Sequence, residues 1–175
     1  MRKGQNSLNE ADDIGESIML DRNKWDQYGF ERTEADILGI TIHETGNYDM
    51  NAEQLEQYLN DECKTSQGCH YIVDDVQAVQ VMPDDWAVYH TGKGKDFGCR
   101  YTIAIEICSS LNDIKYLTAE ENAVDLIETL KGKYGIKNEM IFFHNDFNQT
   151  THCPNRIMDL YKTSRNFAYQ RIEGE

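Results

Sequence analysis

Two apolar runs end on histidine, and a third carries a glutamate near its end. "DILGITIH" finishes at His43, "EMIFFH" at His144, and "YTIAIEICSS" holds Glu106. Behind His144 the loop "NDFNQTTHCP" brings Cys153 within a short stretch of chain. A lone histidine is more often structural than a ligand, so the grouping is what carries weight. Two neutral imidazoles and one thiolate can hold tetrahedral zinc and still leave the fourth position to water. Such a centre is net positive and lowers the pKa of that water to roughly 7. Metal-assisted hydrolysis at neutral pH is the chemistry these residue types imply.

Glu106 adds a carboxylate. Side chains alternate along a strand, so Thr102, Ala104 and Glu106 share one face while Ile103, Ile105 and Ile107 share the other. A carboxylate on a covered face is costly unless something polar or cationic receives it. Glu106 is therefore either a working acid or one half of a buried ion pair. Cys153 directly precedes Pro154, which suits the first position of a helix, and there the helix dipole favours a thiolate. His152 competes with Cys153 for a metal, but adjacent side chains point apart, which favours Cys153 as the ligand.

These residues need elements to position them. The strand ending at His43 is followed by "NAEQLEQYLNDEC", where Ala52, Leu55, Tyr58 and Leu59 fall at helical spacing behind Asn51 as a cap. "HYIVDDVQAVQVMP" reads as two strands around Asp74 and Asp75. Thr118 and Glu121 have the spacing of a capping box. The helix they would open carries Ala123, Ile127, Leu130 and Tyr134 on one stripe, with Gly135 placed to end it. The spacing then predicts one last helix from Pro154 with Ile157, Leu160, Tyr161, Ser164 and Ala168 facing inward. Alternating strands and helices with one antiparallel hairpin predict an α/β fold, a single domain over 1–175 whose central mixed β-sheet is flanked by helices. Residues 1–15 are polar and are expected to be loose.

Composition narrows the partners. The chain of 175 residues is 39% hydrophobic, enough for one sizeable core, and its formal net charge is −14. Nucleic-acid affinity comes largely from Lys and Arg neutralising phosphates, so so acidic a chain is not expected to bind nucleic acid. The same charge opposes an anionic membrane or cell wall unless a separate module or subunit supplies the attraction. No stretch approaches the roughly 20 apolar residues of a membrane span. The opening residues turn acidic without an apolar core, which predicts synthesis in the cytoplasm without a conventional signal peptide. Five irregularly spaced cysteines do not read as a disulfide framework.

The set "ITIHETGN", "HYIVDD", "AVYHTGKG", "TIAIEIC" and "FHNDFNQTTHCPNRI" resembles the zinc-dependent N-acetylmuramoyl-L-alanine amidases that share a fold with peptidoglycan recognition proteins. It is most similar to the catalytic domains of bacteriophage endolysins and bacterial autolysins, over about residues 36–160. The resemblance implies one Zn2+ per chain on His43, His144 and Cys153, and Glu106 as the acid that activates water. Members lacking that acid tend to carry tyrosine just before the histidine of "HYIVDD", where this chain has Cys69. It further implies that the chain hydrolyses the amide between N-acetylmuramic acid and L-alanine in peptidoglycan, acting on the cell wall after release.

The family commonly has lysine two residues before the cysteine ligand, positioned to stabilise negative charge; here that residue is Thr151, with Thr150 a rival because the loop is one residue longer. His90 matches a histidine bordering the cleft, and His70 reads as structural. Thr45, Asn47 and Asp146 are expected to touch substrate or to orient the ligands. Two other readings of the same residues are a peptidoglycan-binding module that does no hydrolysis and a closed structural zinc site with His152 as fourth ligand.

Overall fold

The computed structural model describes residues 19–48 and 50–172, so the stretch expected to be loose, 1–15, lies outside the described residues. In chain order the elements are α1 (Trp25–Tyr28), β1 (Gly29–Glu31), β2 (Gly39–Glu44), α2 (Ala52–Asp61), β3 (Tyr71–Val73), β4 (Ala78–Gln80), β5 (Trp86–Val88), α3 (Phe97–Tyr101), β6 (Thr102–Ile107), α4 (Asp113–Tyr134), β7 (Ile141–Phe143), α5 (His144–Phe147), α6 (Asn155–Tyr161) and α7 (Ser164–Phe167). Five strands form one sheet in the order β4-β3-β6-β2-β7. Its inner pairs are parallel, and β4 alone runs antiparallel, to β3. This is the mixed sheet that the alternating pattern predicts. Strands β1 and β5 pair antiparallel as a separate ribbon.

Strand alternation divides the core between the sheet's two faces. Ile40, Ile42, Ile103, Ile105 and Ile107 pack with Tyr116, Ala119, Ala123, Ile127 and Leu130 of α4. Ile72, Val79, Ala104 and Cys108 pack on the other face with Ala52 and Leu59 of α2. Asn51 caps α2 as the sequence predicts, accepting from the Gln54 N–H at 2.9 Å, while the Gln54 side chain accepts from the Asn51 N–H. Asp74 Oδ1 accepts from the N–H groups of Val76 and Gln77 and so turns the β3–β4 hairpin.

The structure corrects four boundaries. Helix α4 starts at Asp113 under an Asn112 cap, not at Thr118, whose hydroxyl instead donates back to the Ile114 carbonyl inside the helix. The extra turn and its approach expose apolar residues, Leu111 at 83% and Ile114 at 77%, which hid its helical period. Gly135 ends α4 in the left-handed region, φ 67°, as its position suggests.

Strand β7 stops at Phe143, so His144 opens α5 rather than closing the strand. Pro154 is the N-cap of α6, not its first residue, and its peptide bond with Cys153 is cis. The last helix is not continuous either: Lys162 at φ 70° breaks it, and the Thr163 hydroxyl caps a new one by accepting from the Asn166 N–H. The break shifts the helical phase. Beyond the break Phe167 takes an interior position, while Leu160, ahead of it, faces solvent.

Candidate metal centre

The parallel register between β2 and β6 places His43 directly beside Glu106. Both lie at the carboxyl ends of their strands, where crevices form in open parallel sheets. Strand β7 on the other side of β2 delivers His144 one residue past its end, and the loop after α5 returns Cys153 to the same spot. One nitrogen of each histidine and the Cys153 sulfur lie within 4.8 Å of one another. Tetrahedral zinc would hold such atoms roughly 3.5 Å apart, so closing the shell needs only a small contraction.

The free lone pairs fit that ion. His90 Nε2 lies 3.2 Å from the Gly98 carbonyl, which can only accept, so this nitrogen carries a proton. The neutral ring's Nδ1 is then an acceptor, and at 2.9 Å it receives the proton of His43 Nε2. His43 Nδ1 is left bare, facing Cys153 Sγ at 3.9 Å and Glu106 Oε1 at 4.0 Å. His144 hydrogen-bonds the backbone of Thr91. Its Nε2 is buried without a hydrogen-bond partner, as is Glu106 Oε2. Buried orphan acceptors are rare in folded proteins, and these two belong to residues that line one cleft.

Electrostatics agree. Burial, reinforced by neighbouring His90 and His144, holds His43 well below the ordinary imidazole range. Burial likewise lowers His144, and it drives His90 down to about 3. Burial and then the nearby Glu44 carboxylate push Glu106 up to about 8, though its side chain is 23% exposed. Burial first, then Glu106, lifts Cys153 to about 12, against the pull toward a thiolate expected from the helix start. A thiolate here needs a cation beside it. Without one the site is a set of neutral groups that a dication would organise.

These side chains line a cleft of about 550 Å3. Thr45, Asn47, His90 and Thr151 border it as well, whereas Thr150 does not. Thr150 is exposed and donates to Asn148 Oδ1 at 2.7 Å, so of these two threonines only Thr151 borders the cleft. The Thr45 hydroxyl donates to the Asn47 carbonyl and accepts from the Ser109 N–H, fixing the loop that follows His43. His90 is only 3% exposed and stands behind His43, whose ring it fixes through their hydrogen bond. Asp146 faces a different groove, and its carboxylate accepts from the Phe143 N–H at 2.7 Å. It steadies the start of α5 rather than the cleft wall. His152 is 60% exposed and pairs with Asp159 at 3.2 Å, away from the ligand atoms. His70 is structural, with Nδ1 accepting from the Ala104 N–H and Nε2 donating to the Trp86 carbonyl.

Residues 33–156 match the family described as N-acetylmuramoyl-L-alanine amidase. The chain is 34% identical over 121 residues to N-acetylmuramoyl-L-alanine amidase CwlA of Bacillus subtilis (strain 168), a match covering 68% of this chain and 43% of that relative. It therefore spans less than half of that protein's length. Among solved structures, PlyL superposes with a TM-score of 0.76 at 27% identity, covering 86% of this chain and 93% of PlyL. The catalytic domain of XlyA superposes with a TM-score of 0.71 at 28% identity, covering 81% and 91%.

Proposed function

The chain belongs to the N-acetylmuramoyl-L-alanine amidase family, and from that premise we propose that it hydrolyses the amide joining the lactyl group of N-acetylmuramic acid to L-alanine in bacterial peptidoglycan. The observation that carries this reading is the convergence of His43 Nδ1, His144 and Cys153 Sγ beside Glu106 on the floor of one cleft. His43, His144 and Cys153 would hold one zinc ion. When bound, zinc supplies Lewis-acid polarisation of a carbonyl and makes water acidic enough to attack near neutral pH.

The chain's own groups do the rest. Glu106 takes a proton from the attacking water and returns it to the departing nitrogen of L-alanine, as a general base and then a general acid. One carboxylate can serve both steps because its oxygens lie 4.0 Å from the ligand ring at the nearest and its environment favours holding a proton. The Thr151 hydroxyl borders the cleft and donates to the oxygen that becomes negative. Thr45 and Asn47 line the wall on the β2 side, where substrate would lie. The products are an unsubstituted glycan strand and a free stem peptide.

We further propose that the described residues act as one catalytic unit and that the protein, made in the cytoplasm, meets its substrate in the wall after release. Attraction to the wall would come from a separate binding module or subunit, because the acidic chain itself supplies little. Digestion of purified peptidoglycan followed by mass spectrometry of the fragments tests the activity, and elemental analysis tests the metal. Release of stem peptides with free L-alanine amino termini, zinc near one per chain, and loss of release in Glu106→Ala are expected. Wall binding without any such release would replace this reading with a binding module.

A further inference from the structure

Glu44 follows His43 on β2, and strand alternation turns its side chain to the opposite face of the sheet. It is 8% exposed, beside Tyr116 of α4. A carboxylate in such a place is costly unless donors surround it. The donors are the Tyr116 hydroxyl, the Arg156 N–H at 3.1 Å from each carboxylate oxygen, and the Ile157 N–H at 3.2 Å. Both N–H groups belong to the first turn of α6, which begins two residues after Cys153. The Glu44 backbone carbonyl meanwhile accepts from Cys153 Sγ at 3.9 Å. One residue thus holds the Cys153 segment by two groups, its backbone carbonyl and its side chain.

We infer that Glu44 is a positioning residue that ties the strand bearing His43 to the helix behind Cys153 and so holds the sulfur in range of His43 Nδ1. The tie depends on reach more than on charge. Oε1 alone accepts from Tyr116, Arg156 and Ile157, and Oε2 adds only a second contact to Arg156. A glutamine with its oxygen at the Oε1 position keeps three of these contacts and loses the fourth, its amide nitrogen then facing the Arg156 N–H, whereas an aspartate keeps the charge and withdraws it from α6. The inference rests on His43, His144 and Cys153 being the ligand set.

The test compares Glu44→Gln and Glu44→Asp with the wild type, each confirmed folded by circular dichroism, in two measurements. The first is zinc affinity by chelator competition. Glu44→Gln should stay within about threefold of wild type, while Glu44→Asp should fall roughly tenfold or more, the range seen when groups supporting a ligand are removed. Aspartate binding zinc as well as wild type, or glutamine falling as far as aspartate, overturns the inference. The second is the alkylation rate of Cys153 in metal-free protein, resolved at the peptide level. It should rise severalfold in Glu44→Asp and little in Glu44→Gln, and an unchanged rate in Glu44→Asp sinks the tie. A wild type that binds no zinc refutes the ligand set, and the alkylation rates then judge the tie by themselves.

Discussion

Glu106 and His90 play different parts beside the same ligand ring. Glu106 keeps one buried oxygen without a partner, which suits a group that receives and returns a proton. Replacing it by glutamine should slow stem-peptide release by about 10²- to 10⁴-fold, the usual contribution of a general base, and leave zinc content unchanged. Parallel rate and metal measurements check this, and lost metal would make Glu106 a structural residue. His90 has the opposite signature. It fixes which nitrogen of His43 is bare, so His90→Ala should weaken zinc binding about 10- to 100-fold, as chelator titration would show. Sequence places His90 at the border of the cleft, where it lies, but a motif gives order along the chain and not depth, so its burial behind His43 is not legible. Its hydrogen bonds to residues 47 and 8 positions away appear only once the sheet is assembled. His43, Glu106, His144 and Cys153 were legible because each sits at the end of a strongly apolar run or beside a proline. Glu44 was not, since a polar residue after a ligand looks like the start of a turn.

At the scale of elements, periodicity found every strand of the main sheet and misplaced helix ends where apolar residues face water. Asn112 and Thr118 make the point measurable. Asn112→Ala removes the acceptor for the N–H groups of Ile114 and Lys115 and should cost about 1 kcal/mol of stability. Thr118→Ala removes only an internal hydroxyl and should move the denaturation midpoint little. Equal costs, read from urea titrations, would mean that the helix starts where the sequence pattern put it. The broken final helix escaped notice for a related reason: nothing in the residue type of Lys162 announces a φ of 70°. Gly135 did announce one, because glycine enters that region without strain.

For the molecule as a whole, three buried histidines and the half-buried His144 set the response to acid. Burial is the leading cause that lowers His43, His70, His90 and His144 from the ordinary 6.5. The unfolded chain therefore binds more protons than the folded one below that value. Their contribution to stability is complete above about pH 6.5 and is lost as pH falls toward the folded-state values. Glu106 works the other way: raised to about 8, it favours the fold at low pH and loses that effect as pH climbs from 4.5. Burial also raises Glu56 and Asp125, and these carboxyls together are outweighed by four imidazoles in the acid range. Metal-free protein should thus melt at a clearly lower temperature at pH 5 than at pH 7, by scanning calorimetry, and equal melting temperatures would refute the account. Adding zinc at pH 7 should raise the melting temperature, since an ion held only by the fold stabilises it by mass action.

The pairing of His43 with Glu106 across adjacent parallel strands has a quantitative consequence. Neighbouring strands stand about 4.8 Å apart whatever their side chains, so backbone hydrogen bonding acts as the ruler between the acid and the ligand ring. Along β6 the acid can relocate only in steps of two residues, about 6.6 Å, because an odd step would send it to the other face. The distance between the Glu106 carboxylate and the His43 ring is thereby digital, while the Cys153 segment, carried by a loop, is the analogue adjustment. Chains of this design are free to retune their chemistry through that loop and are held to one setting at Glu106.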